Sequence, residues 1–140
     1  MPLFTSTYTN KVDKKGRVSV PASFRSTLPD DDQSVSVFPS LVGRAIEGFD
    51  RSYLGHIQAR LDNYDMMTTP ARTQDPAIKI LSRVMVISID SDGRIVLPQE
   101  FIKYAGITDR AVFVGLGSSF QIWSPKEHAA VYGQNDGLQR

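Results

Sequence analysis

The sequence predicts an α+β fold, mainly β, in which two copies of one β-α unit interleave into a small barrel. Three observations predict it. One stretch occurs twice, as Asp13-Lys14-Lys15-Gly16-Arg17-Val18-Ser19-Val20-Pro21-Ala22-Ser23-Phe24 and as Asp90-Ser91-Asp92-Gly93-Arg94-Ile95-Val96-Leu97-Pro98-Gln99-Glu100-Phe101. Asp, Gly, Arg, Pro and Phe recur at a constant shift of 77 residues, so the repeat unit is about half the chain. The apolar runs beside each copy are short and rich in β-branched residues, as strands are. A lone unit of about 65 residues would leave strand edges exposed and bury little core, whereas two interleaved units close those edges around a pseudo-two-fold axis.

The doubled stretch reads residue by residue. Asp-x-x-Gly is turn chemistry: the carboxylate accepts from backbone two residues on, and Gly takes a positive φ without steric cost. Asp13 with Gly16, and Asp90 with Gly93, therefore predict two hairpin tips. Residues 17–20 and 94–97 are strands that end at Pro21 and Pro98, because Pro has no N–H for a ladder. The same prolines suit a helix start, so residues 22–28 and 99–105 are short helices with Phe24 and Phe101 turned inward.

The rest of the chain follows in order. Residues 1–12 alternate, with Phe4, Ser6, Tyr8 and Asn10 between threonines, and predict a strand pairing back on 17–20 across the first tip. Pro29-Asp30-Asp31-Asp32 is a solvated turn without the spaced oxygens of a calcium loop. Residues 35–38 are an alternating strand, and 41–49 supply another, broken by Gly43 and Gly48. Their counterparts are 111–114 and 120–123. Val35 matches Val112 at the shift of 77, and Phe49 matches Trp123 at 74, which puts three extra residues in the first copy's turn. Asp50 caps a helix over 51–63 with Leu54, Ile57 and Leu61 on one face, and Ser124 caps another over 125–132. Residues 72–81 are a further helix limited by Pro76, and 83–89 a strand leading into the second tip. The units are 1–65 and 83–133, joined by a linker and helix over 66–82, with a frayed tail over 134–140.

Composition narrows the function. The chain has 140 residues, 41% of them hydrophobic, a net charge of +1 and no cysteine. Disulfides and thiolate metal sites are excluded, and a nucleic-acid face must come from local clustering of charge. No signal-like or membrane-spanning segment is visible, so a soluble, intracellular protein is expected. The first 28 residues cluster Lys11, Lys14, Lys15, Arg17 and Arg25 against the single acid Asp13. That pattern is either a solvated tip or a phosphate- and base-contacting ribbon. Arg17 and Arg94 suit phosphate and bidentate guanine recognition, but each also lies four residues from an Asp that could hold it. Both can hold at once, with the Asp orienting the Arg. Gly115-Leu116-Gly117 is a hairpin turn rather than a phosphate loop, because a strand follows it. His56 and His128 lack metal-ligand spacing or a neighbouring nucleophile, so the reading is a non-enzyme with no cofactor and no metal.

The doubled Asp-x-x-Gly-Arg pattern, with three residues, Pro and an aromatic after it, resembles the MraZ family, within the wider AbrB-like superfamily. The resemblance covers residues 1–133. It implies two tandem AbrB-like half-barrel repeats forming a swapped-hairpin barrel within one chain. It also implies a cytoplasmic, nucleoid-associated regulator, a repressor more than an activator, that binds double-stranded DNA at tandem promoter repeats of the division and cell-wall gene cluster. A homo-oligomeric ring, an octamer or larger, and no membrane partner are implied too. The implied DNA-binding residues are Arg17, Lys15, Lys14 and Arg94, with Asp13, Gly16, Asp90 and Gly93 as turn formers. The rival readings are a ring-forming protein scaffold and a small enzyme. Lys14-Lys15 is replaced by Ser91-Asp92 in the second copy, so the first tip is expected to dominate DNA contact.

Overall fold

A computed structural model describes residues 2–62 and 75–133. Among the described residues, eight strands and five α-helices run in order as β1 (Thr7–Lys11), β2 (Arg17–Ser19), α1 (Ala22–Thr27), β3 (Ser34–Pro39), β4 (Ile46–Phe49), α2 (Tyr53–Asp62), α3 (Pro76–Leu81), β5 (Met85–Ser88), β6 (Arg94–Val96), α4 (Gln99–Ala105), β7 (Arg110–Gly115), β8 (Phe120–Trp123) and α5 (Pro125–His128). The last helix runs into a π-helical turn, Ala129–Gly133, so the expected helix over 125–132 is α-helical only in its first turn. Pro21 and Pro98 stand immediately before α1 and α4, and Gly106 ends α4 in the left-handed region. Asp75 caps α3, accepting from the Ala77 N–H at 2.8 Å. Asp50 takes the Ser52 N–H at 3.3 Å and Ser124 the Glu127 N–H at 3.1 Å, at equivalent places in the two copies. Of the expected linker and helix over 66–82, residues 66–74 lie outside the described residues, as do 63–65 and the expected tail, 134–140.

Strand pairing differs from the sequence expectation. β1 does not pair back on β2; apart from one bridge, Val12 with Val18, it pairs with β7 from the other copy, Thr7 opposite Val114. β5 does the same with β3, Ser34 opposite Ser88. The six-stranded sheet runs β1-β7-β8-β4-β3-β5, and β2 pairs with β6 in a separate two-stranded ribbon. The physical reason is edge coverage. A self-contained β1–β2 hairpin, and its counterpart β5–β6, would leave one edge of β7 and of β3 bare, while crossing over covers those edges with β1 and β5.

The pseudo-two-fold axis passes through two pairs. Val18 sits opposite Ile95, its own repeat equivalent, and Glu47 opposite Gln121, its equivalent at the shift of 74. Between these points the alignment is not the one the sequence suggests. Val35 and Val37 enter the main core, as do Ala111 and Phe113, whereas Val112 and Val114 pack with Ala45 and Trp123 on the far side of the sheet. Val35 therefore corresponds to Ala111, not Val112. One extra residue of the first copy lies in the α1–β3 connection and two lie in the β3–β4 turn, residues 40–45 against 116–119. A single inserted residue swaps the faces of every following side chain, which is why the shift changes.

The core joins Phe4, Phe24, Val18, Val20, Ile95, Leu97, Phe101 and Phe120 beneath the ribbon. On the far side of the sheet, α2 and α3 cover Phe38 and Phe49 through Ile57, Leu61 and Ala77. β3 is consequently buried on both faces. Phe120 lies opposite Gly48, where any Cβ would run into its ring.

Candidate nucleic-acid interface

Each tip is built by one carboxylate. The Lys15 and Arg17 N–H groups donate to Asp13 Oδ1, both at 2.9 Å, and Arg17 Nε donates to Oδ2 at 3.1 Å. In the second tip the Asp92 and Arg94 N–H groups donate to Asp90 Oδ1, at 2.8 and 2.9 Å. Gly16 and Gly93 have φ of +87° and +80°. A Cβ on Gly16 would also stand 2.8 Å from the Leu97 carbonyl oxygen, so glycine is required twice over.

The backbone N–H of Arg17 is the main reason that Asp13 titrates below the usual carboxylate range, and the Arg94 N–H does the same for Asp90. A depressed folded pKa contributes stability that is present above the unfolded pKa and lost as pH falls through the folded one. Both tips should therefore stay closed through ordinary carboxylate titration and open only below it. Carbon-13 NMR titration of the two side-chain carboxyls should give midpoints below those of the same residues in urea-unfolded chain; coincident midpoints would contradict the tip geometry.

The ribbon presents these tips on one surface. Val18 and Ile95 point inward and are 1% exposed. Strand alternation then turns Arg17, Ser19, Arg94 and Val96 outward. Arg17 lies opposite Val96 and Arg94 opposite Ser19, so the two arginines are diagonal neighbours, about 7 Å apart at their backbones. They share a groove of about 450 Å³ with Asn10, Lys11, Asp13, Asp109 and Arg110, so four cations face two acids there. Lys11 and Arg110 arrive as a cross-strand pair of β1 and β7. Lys14 and Lys15 are exposed on the first tip, outside the groove lining. Sequence reading missed Arg110, which lies in no motif and reaches the groove only through the crossed pairing.

The copies differ around this frame. Arg17 is held by Asp13, whereas Arg94 Nη2 donates to Asp92 Oδ2 at 3.0 Å. The Arg25 guanidinium packs against Gly93, where a Cβ would be 2.8 Å from Cζ, and its Nε donates to the Val20 carbonyl at 3.1 Å. Val20 in turn donates its N–H to the Gly93 carbonyl at 2.9 Å. The first copy's helix thus backs the second copy's tip with a cation, while Ile102 and Gln99 back Gly16. The second tip is less acidic than its own residues suggest.

The family model described as "MraZ protein, putative antitoxin-like" matches residues 3–75 and 81–136. The chain belongs to the MraZ family. It is 41% identical over 124 residues to the transcriptional regulator MraZ of Pelagibacter ubique, covering 88% of this chain and 79% of that protein. It is 37% identical over 129 residues to the protein of the same name from Rickettsia akari, with 90% and 84% covered. The counterpart from Gluconobacter oxydans is 36% identical over 133 residues, with 92% and 80% covered. The MraZ relatives are named for regulation, not for catalysis. Among the described residues of this MraZ chain no group of three or more His, Asp or Glu could hold a metal ion. His56 meets Tyr53, and His128 meets Tyr132, in tilted ring contacts. No helix among the described residues is long and apolar enough to cross a membrane.

Proposed function

We propose that the chain is a sequence-specific DNA-binding transcriptional regulator that reads double-stranded DNA with the outer face of the β2–β6 ribbon. The observation that carries this reading is the convergence of Arg17 and Arg94 on one exposed groove beside Lys11 and Arg110. A three-residue ribbon is about 10 Å long, which fits a major groove about 12 Å wide. Arg17 and Arg94 would address base edges, and Lys14 and Lys15 the flanking phosphates. The family resemblance extends the proposal to a ring-shaped homo-oligomer, an octamer or larger. The ring would repress the division and cell-wall gene cluster from tandem promoter repeats, at the cytoplasmic nucleoid.

The test is a titration of labelled duplex from the DNA upstream of the coding sequence, at two salt concentrations, against a scrambled duplex. Arg17→Ala should weaken specific binding roughly 5- to 150-fold, the range of one good base contact. Arg94→Ala should cost less, because its tip carries Ser91 and Asp92 where the first tip carries Lys14 and Lys15, so an acid faces the phosphates there. Asp92→Lys should tighten binding and steepen the salt dependence by about one phosphate per engaged second tip. Equal losses from the two alanine variants would refute the ranking of the tips. No preference over scrambled duplex would refute the function.

A further inference from the structure

The outer face of the ribbon has four positions, and the pseudo-two-fold axis through Val18 and Ile95 exchanges them in pairs. Arg17 exchanges with Arg94, so that pair is chemically identical. Ser19 exchanges with Val96, and that pair is not. Val96 is 52% exposed, an apolar side chain opposite Arg17 on a surface otherwise lined by charged and polar groups. It packs into no core cluster among the described residues. In a major groove the apolar group available beside the base edges is the thymine 5-methyl, and a branched aliphatic side chain is complementary to it.

We infer that Val96 is a specificity-determining residue that reads a thymine 5-methyl group, and that the Ser19–Val96 difference makes the recognised sequence directional rather than palindromic. The inference rests on the DNA reading proposed above and specifies it further. The two arginines offer each half-site the same type of base contact, the stronger one at Arg17. Val96 adds an apolar contact on one side only, while Ser19, exposed on the other, offers a hydroxyl that accepts either a donor or an acceptor edge. Asn10 Nδ2 donates to the Ser19 carbonyl at 2.8 Å, so the backbone on that side is fixed independently of the side chain at position 19.

The experiment starts from a duplex selected by the wild-type chain out of a randomised library. Each thymine of that duplex is replaced in turn by deoxyuridine, which removes the methyl group and leaves the hydrogen-bonding edge intact. One position should weaken wild-type binding roughly fourfold, the value of one buried methyl. Val96→Ala should bind that deoxyuridine duplex and its thymine parent within twofold of each other. Ser19→Val should create a second methyl-sensitive thymine at the two-fold-related position on the opposite strand, a gain that a misfolded variant cannot produce. A selected duplex to which Val96→Ala and wild type respond alike at every thymine would overturn the inference alone. A library from which no sequence is enriched would overturn the DNA reading and the inference with it.

Discussion

Phe24→Ala should lower the unfolding free energy by about 3–5 kcal/mol, a large part of the roughly 5–15 kcal/mol typical of a domain. Phe24 is fully buried and meets Phe4 at 5.3 Å, Tyr8 at 5.7 Å, Phe113 at 6.1 Å and Phe120 at 5.3 Å between ring centroids. Those rings come from the N-terminal segment, β1, β7 and β8, so one side chain ties the first copy's helix to the strands of the second. Deleting the ring leaves a cavity lined by stiff aromatics that cannot collapse into it, and edge-to-face contacts are lost with it. Urea unfolding followed by circular dichroism measures the effect. A loss below about 1 kcal/mol would mean that the aromatic cluster does not join the copies as described. Phe101 is the repeat equivalent, buried to the same degree in the same core cluster.

What was legible in the sequence is what local chemistry dictates. Asp13 with Gly16, and Asp90 with Gly93, fix the tips, because the Asp supplies the side-chain acceptor and the Gly the positive φ. Pro21 and Pro98 mark where each ribbon strand gives way to a helix, and Phe24 and Phe101 point inward as read. Partner choice was not legible. Thr7 finds Val114 rather than its own hairpin, and nothing in residues 7–11 encodes that preference locally. The Val35–Val112 match failed for the same kind of reason: both are valines in β-prone runs, and only burial reveals that one faces the core and the other faces away from it. The candidate site was half legible. Arg17, Lys14, Lys15 and Arg94 stand out in the motif, but their meeting on one face, the arrival of Arg110 and the Arg25 support beneath Gly93 all depend on the crossed strands.

Arg17→Glu should reduce specific DNA binding at least about 100-fold, since it removes a base contact and places a carboxylate against the phosphate backbone. The fold should survive. The side chain is 38% exposed, its one ion pair among the described residues is with Asp13, and the backbone N–H that closes the tip is untouched by the substitution. An exposed pair of this kind is worth about 0–1 kcal/mol, so melting should shift by only a few degrees. The decisive measurement is duplex titration of Arg17→Glu and wild type together, with melting temperature and gel-filtration volume recorded on the same preparations. Loss of binding with melting within a few degrees of wild type and elution unchanged is the predicted result. Binding within about threefold of wild type, or a collapse of melting and elution in step with the loss, would contradict the assignment of the ribbon face to DNA.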